Sequence, residues 1–142
     1  MSAIRILAIC VFRHGSKVLV AQGFDAVKEE SFLRPLGGAV EFGELAADAL
    51  RREIREELAA EIAEVVQIGV LENIFTYRGQ PGHEIVLVFD ARFVDQEFYQ
   101  KDSLAIHEED IWDGPARWVD LNDDLPFDLY PDGLAALLRN AA

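Results

Sequence analysis

Gly37-Gly38-Ala39-Val40-Glu41-Phe42-Gly43-Glu44 runs without a break into Leu45–Leu58, a segment of helical periodicity. The octet suits a loop, because closely spaced glycines disfavour any regular element. Behind it Leu45, Ala46, Ala49, Leu50, Ile54 and Leu58 recur at three- and four-residue spacing, with strong helix formers between them. Glu44 stands at the start of that helix, where a carboxylate suits the dipole. Leu58-Ala59-Ala60-Glu61 contains no helix breaker, so the helix is expected to run on through Ala59.

The flanking segments do read as β structure. Ile4 to Arg13 predicts a buried strand, His14-Gly15-Ser16 a turn, and Lys17 to Gln22 a second strand. Gly23 to Ser31 is expected as loop, and Phe32 to Leu36 as a short strand interrupted by Pro35. Ile62 to Arg78 and Glu84 to Val94 flank Gly79-Gln80-Pro81-Gly82 and predict a long hairpin. Asp95 to Asp113 is mixed and acidic, Ala116 to Leu121 predicts a strand, and Pro131 to Ala141 a short helix with Leu134, Leu137 and Leu138 inward. Strands on both sides of a central helix, plus a hairpin, predict an α+β sandwich. With no repeat, low-complexity tract or linker, residues 1–142 are expected to form a single domain.

Charge narrows the function. Thirteen Lys and Arg against 26 Asp and Glu give a formal net charge of −13. Such a surface repels phosphate backbones, so DNA binding is disfavoured. A small anionic substrate fits only if a bound cation supplies positive charge. No apolar run approaches the ~20 residues of a membrane-spanning helix, and the longest, Ile6 to Phe12, ends at Arg13 and His14. The lone cysteine, Cys10, lies in that run as a buried thiol, and the default expectation is a cytoplasmic setting.

Within Arg51-Arg52-Glu53-Ile54-Arg55-Glu56-Glu57, Glu53 stands three residues from Glu56 and four from Glu57. All three project toward one patch. Alone, that pattern describes a solvated helix face with Arg51, Arg52 and Arg55 as counter-charges. Beside a glycine loop with free carbonyls, it also offers the oxygen donors that a hard divalent cation requires.

Gly38, five residues, Glu44, seven residues, Arg52-Glu53-Ile54, one residue, then Glu56-Glu57 resembles the signature box of the Nudix hydrolases. The likeness extends to Glu41-Phe42-Gly43-Glu44 and to Trp118-Val119-Asp120-Leu121, which look like the family's approach loop and late strand. Ala59 departs from the pattern, which has glycine there, and Leu36 stands where many members have proline. The resemblance implies an α/β/α sandwich with a mixed central sheet and one long box helix. It implies hydrolysis of a nucleoside diphosphate linked to another moiety, with Mg²⁺ or Mn²⁺ as cofactor. Carried over, Glu53, Glu56 and Glu57 would hold metal together with the Gly38 carbonyl, and Arg52 and Glu44 would orient them. The general base would come from the helix triad, with Glu109 or Glu108 in the acidic loop as alternatives.

Specificity lies outside the box. Phe32, Phe75, Tyr77, Phe98 and Tyr99 could sandwich a base, and Arg34 and Arg78 could meet a phosphate or ribose. Tyr77 lies where dinucleoside-polyphosphate hydrolases of the family tend to carry tyrosine. His83-Glu84 reads as a strand terminus. The expected partner is a small nucleoside-diphosphate-type molecule, with no membrane and no DNA, and a homodimer is left open. The competing class is a catalytically silent Nudix-fold binding or regulatory module. The complete Glu53, Glu56 and Glu57 set argues against it, since such modules often lose part of the box.

Overall fold

The computed structural model describes residues 3–107 and 112–140. The strands are β1 (Ile4–Val11), β2 (Arg13–His14), β3 (Lys17–Asp25), β4 (Glu30–Arg34) and β5 (Leu36–Ala39), followed by helix α1 (Ala46–Leu58). After it come β6 (Ile62–Tyr77), β7 (Gln80–Phe93), β8 (Ser103–Leu104), β9 (Ala116–Asp120), β10 (Asp128–Leu129) and helix α2 (Leu134–Asn140). One sheet has the order β5-β1-β7-β6, with β1 and β7 parallel and the outer pairs antiparallel. The other runs β10-β4-β3-β9-β8, with β2 beside β3.

The first sheet is covered on both faces, which explains why β1 is a continuous apolar run rather than an alternating one. Ala8 and Cys10 pack with Leu50, Ile54 and Leu58 of α1. Leu7, Ile9 and Val11 pack the other way, with Val18, Val20 and Leu33 of the second sheet and Leu134 and Leu138 of α2. The architecture is the expected α+β sandwich with a mixed central sheet.

Several boundaries depart from the sequence expectation. Gly37-Gly38-Ala39, expected as loop, joins Leu36 in an edge strand on β1, with Leu7 opposite Ala39 and Ile9 opposite Gly37. Gly37 is needed there: its φ is 150°, and a side chain would collide with the Ala8 carbonyl. The stretch expected as loop after Gln22 is mostly strand, with β3 reaching Asp25 and β4 beginning at Glu30. The hairpin turn is Arg78-Gly79, both at positive φ, rather than the expected Gly79-Gln80-Pro81-Gly82. Pro81 is tolerated in β7 because it lies before Ile4 and His83, where pairing with β1 begins. The helix also stops short. Ala59 adopts φ 53°, ψ 38° and caps α1 with its N–H on the Arg55 carbonyl. Burial of Ala60 and Ile62 in the core beneath α1 forces that reversal, and the Arg55–Glu61 ion pair at 2.7 Å spans it.

Candidate active site

Arg52 is the hub of the box. Its Nε and Nη2 donate to the two oxygens of Glu44 at 2.8 and 3.0 Å. Nη1 donates to Glu53 at 2.8 Å and Glu56 at 3.4 Å, and Nη2 also reaches the Ala39 carbonyl at 3.1 Å. One guanidinium thus joins β5, the approach loop and two successive turns of α1. Glu44 holds the Arg52 pKa above its ordinary value, and the Arg52 hydrogen bond holds the Glu44 carboxyl below its own.

The three box glutamates are not equivalent. Glu56 is exposed, the Glu53 side chain is 13% exposed, and Glu57 is fully buried. A uniformly solvated helix face is therefore excluded. Gly38 fits against Glu53 so closely that a Cβ there would overlap its carboxylate. Among the described residues, no group of three acid, His or Cys side chains is gathered tightly enough to hold a metal ion. The donor set is nevertheless all oxygen, and the Glu53 carboxylate lies directly on the glycine strand, which matches the chemistry of a hard cation.

Gly38 and Glu53 line a cavity of about 560 Å³, within the roughly 300–1,000 Å³ typical of small-molecule sites. Phe32, Phe75, Tyr77, Trp112 and Tyr130 line it as well. Phe32 meets Tyr77 and Tyr130 edge-on, each at 5.9 Å between centroids. Glycines make room for two of these rings: side chains at Gly23 and Gly82 would strike Phe32 and Phe75.

Of the sequence candidates for substrate contact, Arg34 and Tyr77 line the cavity and Arg78 does not. The Arg78 guanidinium lies over the Tyr77 ring at 5.1 Å, and its backbone N–H donates to Asp25. Phe98 and Tyr99 also lie elsewhere, packed against the core, the first stacked on Phe93 and the second edge-on to it. Burial pushes the Arg34 pKa down, while Glu84 and Glu57 oppose the shift. The His107 N–H donates to the Glu57 carbonyl at 2.7 Å, which brings the chain to the end of α1. Glu108, Glu109 and Asp110, the loop candidates for general base, lie outside the described residues.

Sequence reasoning missed Arg5, Asn73 and Glu84, which also line the cavity. Glu84, expected as a strand terminus, is a buried carboxylate in the interior of β7. The available signal was a charged residue directly before the apolar run Ile85-Val86-Leu87-Val88.

Residues 1–138 match the model of the NUDIX domain, and the chain belongs to that family. Membership makes it a hydrolase acting on phosphoanhydride bonds. The fold is shared with the MutT NUDIX hydrolase from Burkholderia pseudomallei, at TM-score 0.72 and 23% identity over 96% of this chain and 98% of that one. The Mutator MutT protein from Bacillus halodurans gives TM-score 0.63 at 15% identity, covering 95% and 80%. The NUDIX hydrolase from Nitrosomonas europaea gives 0.58 at 18%, covering 84% and 74%. A search of curated proteins returns no significant match. No helix among the described residues is long and apolar enough to cross a membrane.

Proposed function

We propose that the chain is a Mg²⁺- or Mn²⁺-dependent pyrophosphohydrolase of a nucleoside-diphosphate-type substrate. The observation that carries this reading is the continuity of one cavity from Gly38 and Glu53 to the aromatic rings of Phe32, Tyr77 and Tyr130. A nucleotide has the same two-ended chemistry, an anionic polyphosphate and a flat apolar base.

In this reading Glu53, Glu56, Glu57 and the Gly38 carbonyl hold the cation. A cation held by these residues would supply charge compensation for the phosphates and would make a water more acidic. Arg52 and Glu44 orient the ligating carboxylates through the bidentate pair between them. A helix glutamate, or Glu109 from the acidic loop, takes the proton of the attacking water. Arg34 and Tyr77 meet the substrate inside the cavity.

The test is a panel of nucleoside triphosphates, dinucleoside polyphosphates and nucleotide sugars, assayed for product with Mg²⁺, with Mn²⁺ and with excess EDTA. Metal-dependent turnover of at least one nucleotide, abolished by EDTA, is expected. Binding without turnover across the panel would instead support the silent module.

A further inference from the structure

We infer that Glu84 makes this site selective for nucleobases carrying an amino group over their keto counterparts, an inference that rests on the nucleotide reading above. Glu84 lies in the middle of a lateral row. Arg5 on β1 and Asn73 on β6 are both its register partners, and the three side chains face the same cavity. Arg34 reaches the same carboxylate from the second sheet.

The distances matter. The Glu84 Oε2 lies 3.8 Å from Arg5 Nη1, and Oε1 lies 3.9 Å from Arg34 Nη2. Both exceed hydrogen-bond length, so the guanidiniums balance the charge without filling the acceptor positions. The Glu84 side chain is only 4% exposed and lies on the wall of the cavity. A carboxylate so placed demands N–H donors from whatever enters.

A phosphate oxygen set directly against the Glu84 carboxylate would be repelled, so a base edge rather than a phosphate is the part of a nucleotide that this carboxylate would receive. An exocyclic amine, as in cytosine, adenine or guanine, donates to Glu84, while Arg5, Arg34 and Asn73 supply donors for neighbouring ring nitrogens or carbonyls. A keto oxygen in the same position sets two acceptors against each other. A site built to receive a donor rejects the analogue that lacks it far more strongly than an apolar pocket rejects a methylene.

The experiment compares kcat/KM for CTP with UTP, for ATP with ITP and for GTP with XTP, in wild type and Glu84→Gln. For the best amino-bearing substrate, the wild-type ratio over its keto partner should be at least about tenfold. Glutamine can both donate and accept, so the variant should bring that ratio within about threefold. A purely structural role would lower both members of a pair alike and preserve the ratio. Wild-type ratios near unity, or an unchanged ratio in Glu84→Gln, overturn the inference. The wild-type ratios decide even if the variant does not fold. Calorimetric Kd values for the same pairs read the preference without turnover. An inactive but selective protein would thus count against the hydrolytic reading alone, and an active unselective one against this inference alone.

Discussion

Arg52 grips Glu44 through two parallel hydrogen bonds, Nε to Oε2 at 2.8 Å and Nη2 to Oε1 at 3.0 Å. The fork geometry leaves Nη1 free to reach forward to Glu53 and Glu56. A lysine carries the same charge but cannot make these contacts at once. Arg52→Lys should therefore lower kcat about 10- to 100-fold, the usual effect of removing a residue that orients metal ligands. The far-ultraviolet circular dichroism should be unchanged, and near-wild-type turnover would show that the fork is dispensable.

Gly38 is fixed by the carboxylate that rests on it. Adding one methyl at this position displaces Glu53, since the space is already taken. Gly38→Ala should weaken Mn²⁺ binding and reduce turnover at least tenfold, with only a small change in Tm. Mn²⁺ titration followed by electron paramagnetic resonance would measure the first effect directly, and unaltered affinity would count against the proposed ligand role of Glu53.

The box was the most legible part of the chain because its chemistry is local. Arg52 and the three glutamates lie within α1, where helical spacing alone places them, and Gly38 and Glu44 stand in the segment leading to it. The core positions Leu50, Ile54 and Leu58 were equally plain from periodicity. What stayed hidden depends on partners distant in sequence. Gly37-Gly38 reads as loop until β1 is laid beside it, and Glu84 reads as a strand end until Arg5 and Arg34 are seen around it. Ala59 has no local signal for a left-handed backbone, because the core that receives Ala60 and Ile62 imposes it.

Glu57 separates a metal site from a decorated surface. Its side chain is fully buried, so it is no solvated counter-charge. Glu57→Gln keeps the shape and removes the charge. If the side chain is a ligand, kcat should fall roughly a hundredfold or more, comparable with deleting one preorganised transition-state contact. Circular dichroism and Tm would establish that the variant is folded. Wild-type turnover by the folded variant would remove Glu57 from the proposed ligand set.

Acid should destabilise the protein in a defined window. The Arg52 hydrogen bond holds the Glu44 carboxyl below its ordinary range, and Arg55 does the same for Glu61. At Asp25 burial pushes upward, but the backbone N–H groups of Arg78, Lys28 and Val27 prevail and the pKa is lowered. A carboxyl depressed in the folded state contributes stability above its unfolded pKa, and that contribution is lost as pH falls through the folded value. With unfolded carboxyls titrating near about 4, the urea midpoint should change little between pH 7 and about pH 5. It should then fall steadily below about pH 4. Arg55→Ala removes the Glu61 share and should make the acid limb shallower, whereas a midpoint flat to about pH 2 would contradict the assignment.

Ala59 offers a test in which the sign alone is decisive. A helix running through this position would be weakened by glycine, by roughly 0.5–1 kcal/mol, because glycine loses more backbone entropy on folding. Ala59 instead lies at φ 53°, ψ 38°, where its Cβ crowds the backbone and glycine does not. The position lies beyond Glu57, at the end of α1 away from Gly38 and the approach loop, and its N–H bond to Arg55 is a backbone contact that glycine retains. Ala59→Gly should therefore stabilise the protein by up to about 1 kcal/mol, less the added entropy of a more flexible unfolded chain. Urea denaturation at neutral pH gives the difference, with the m-value expected to stay constant. Activity should stay within a few-fold of wild type, because the ligand-bearing turns precede the cap. A destabilised Ala59→Gly protein would mean that α1 continues past Leu58 in solution.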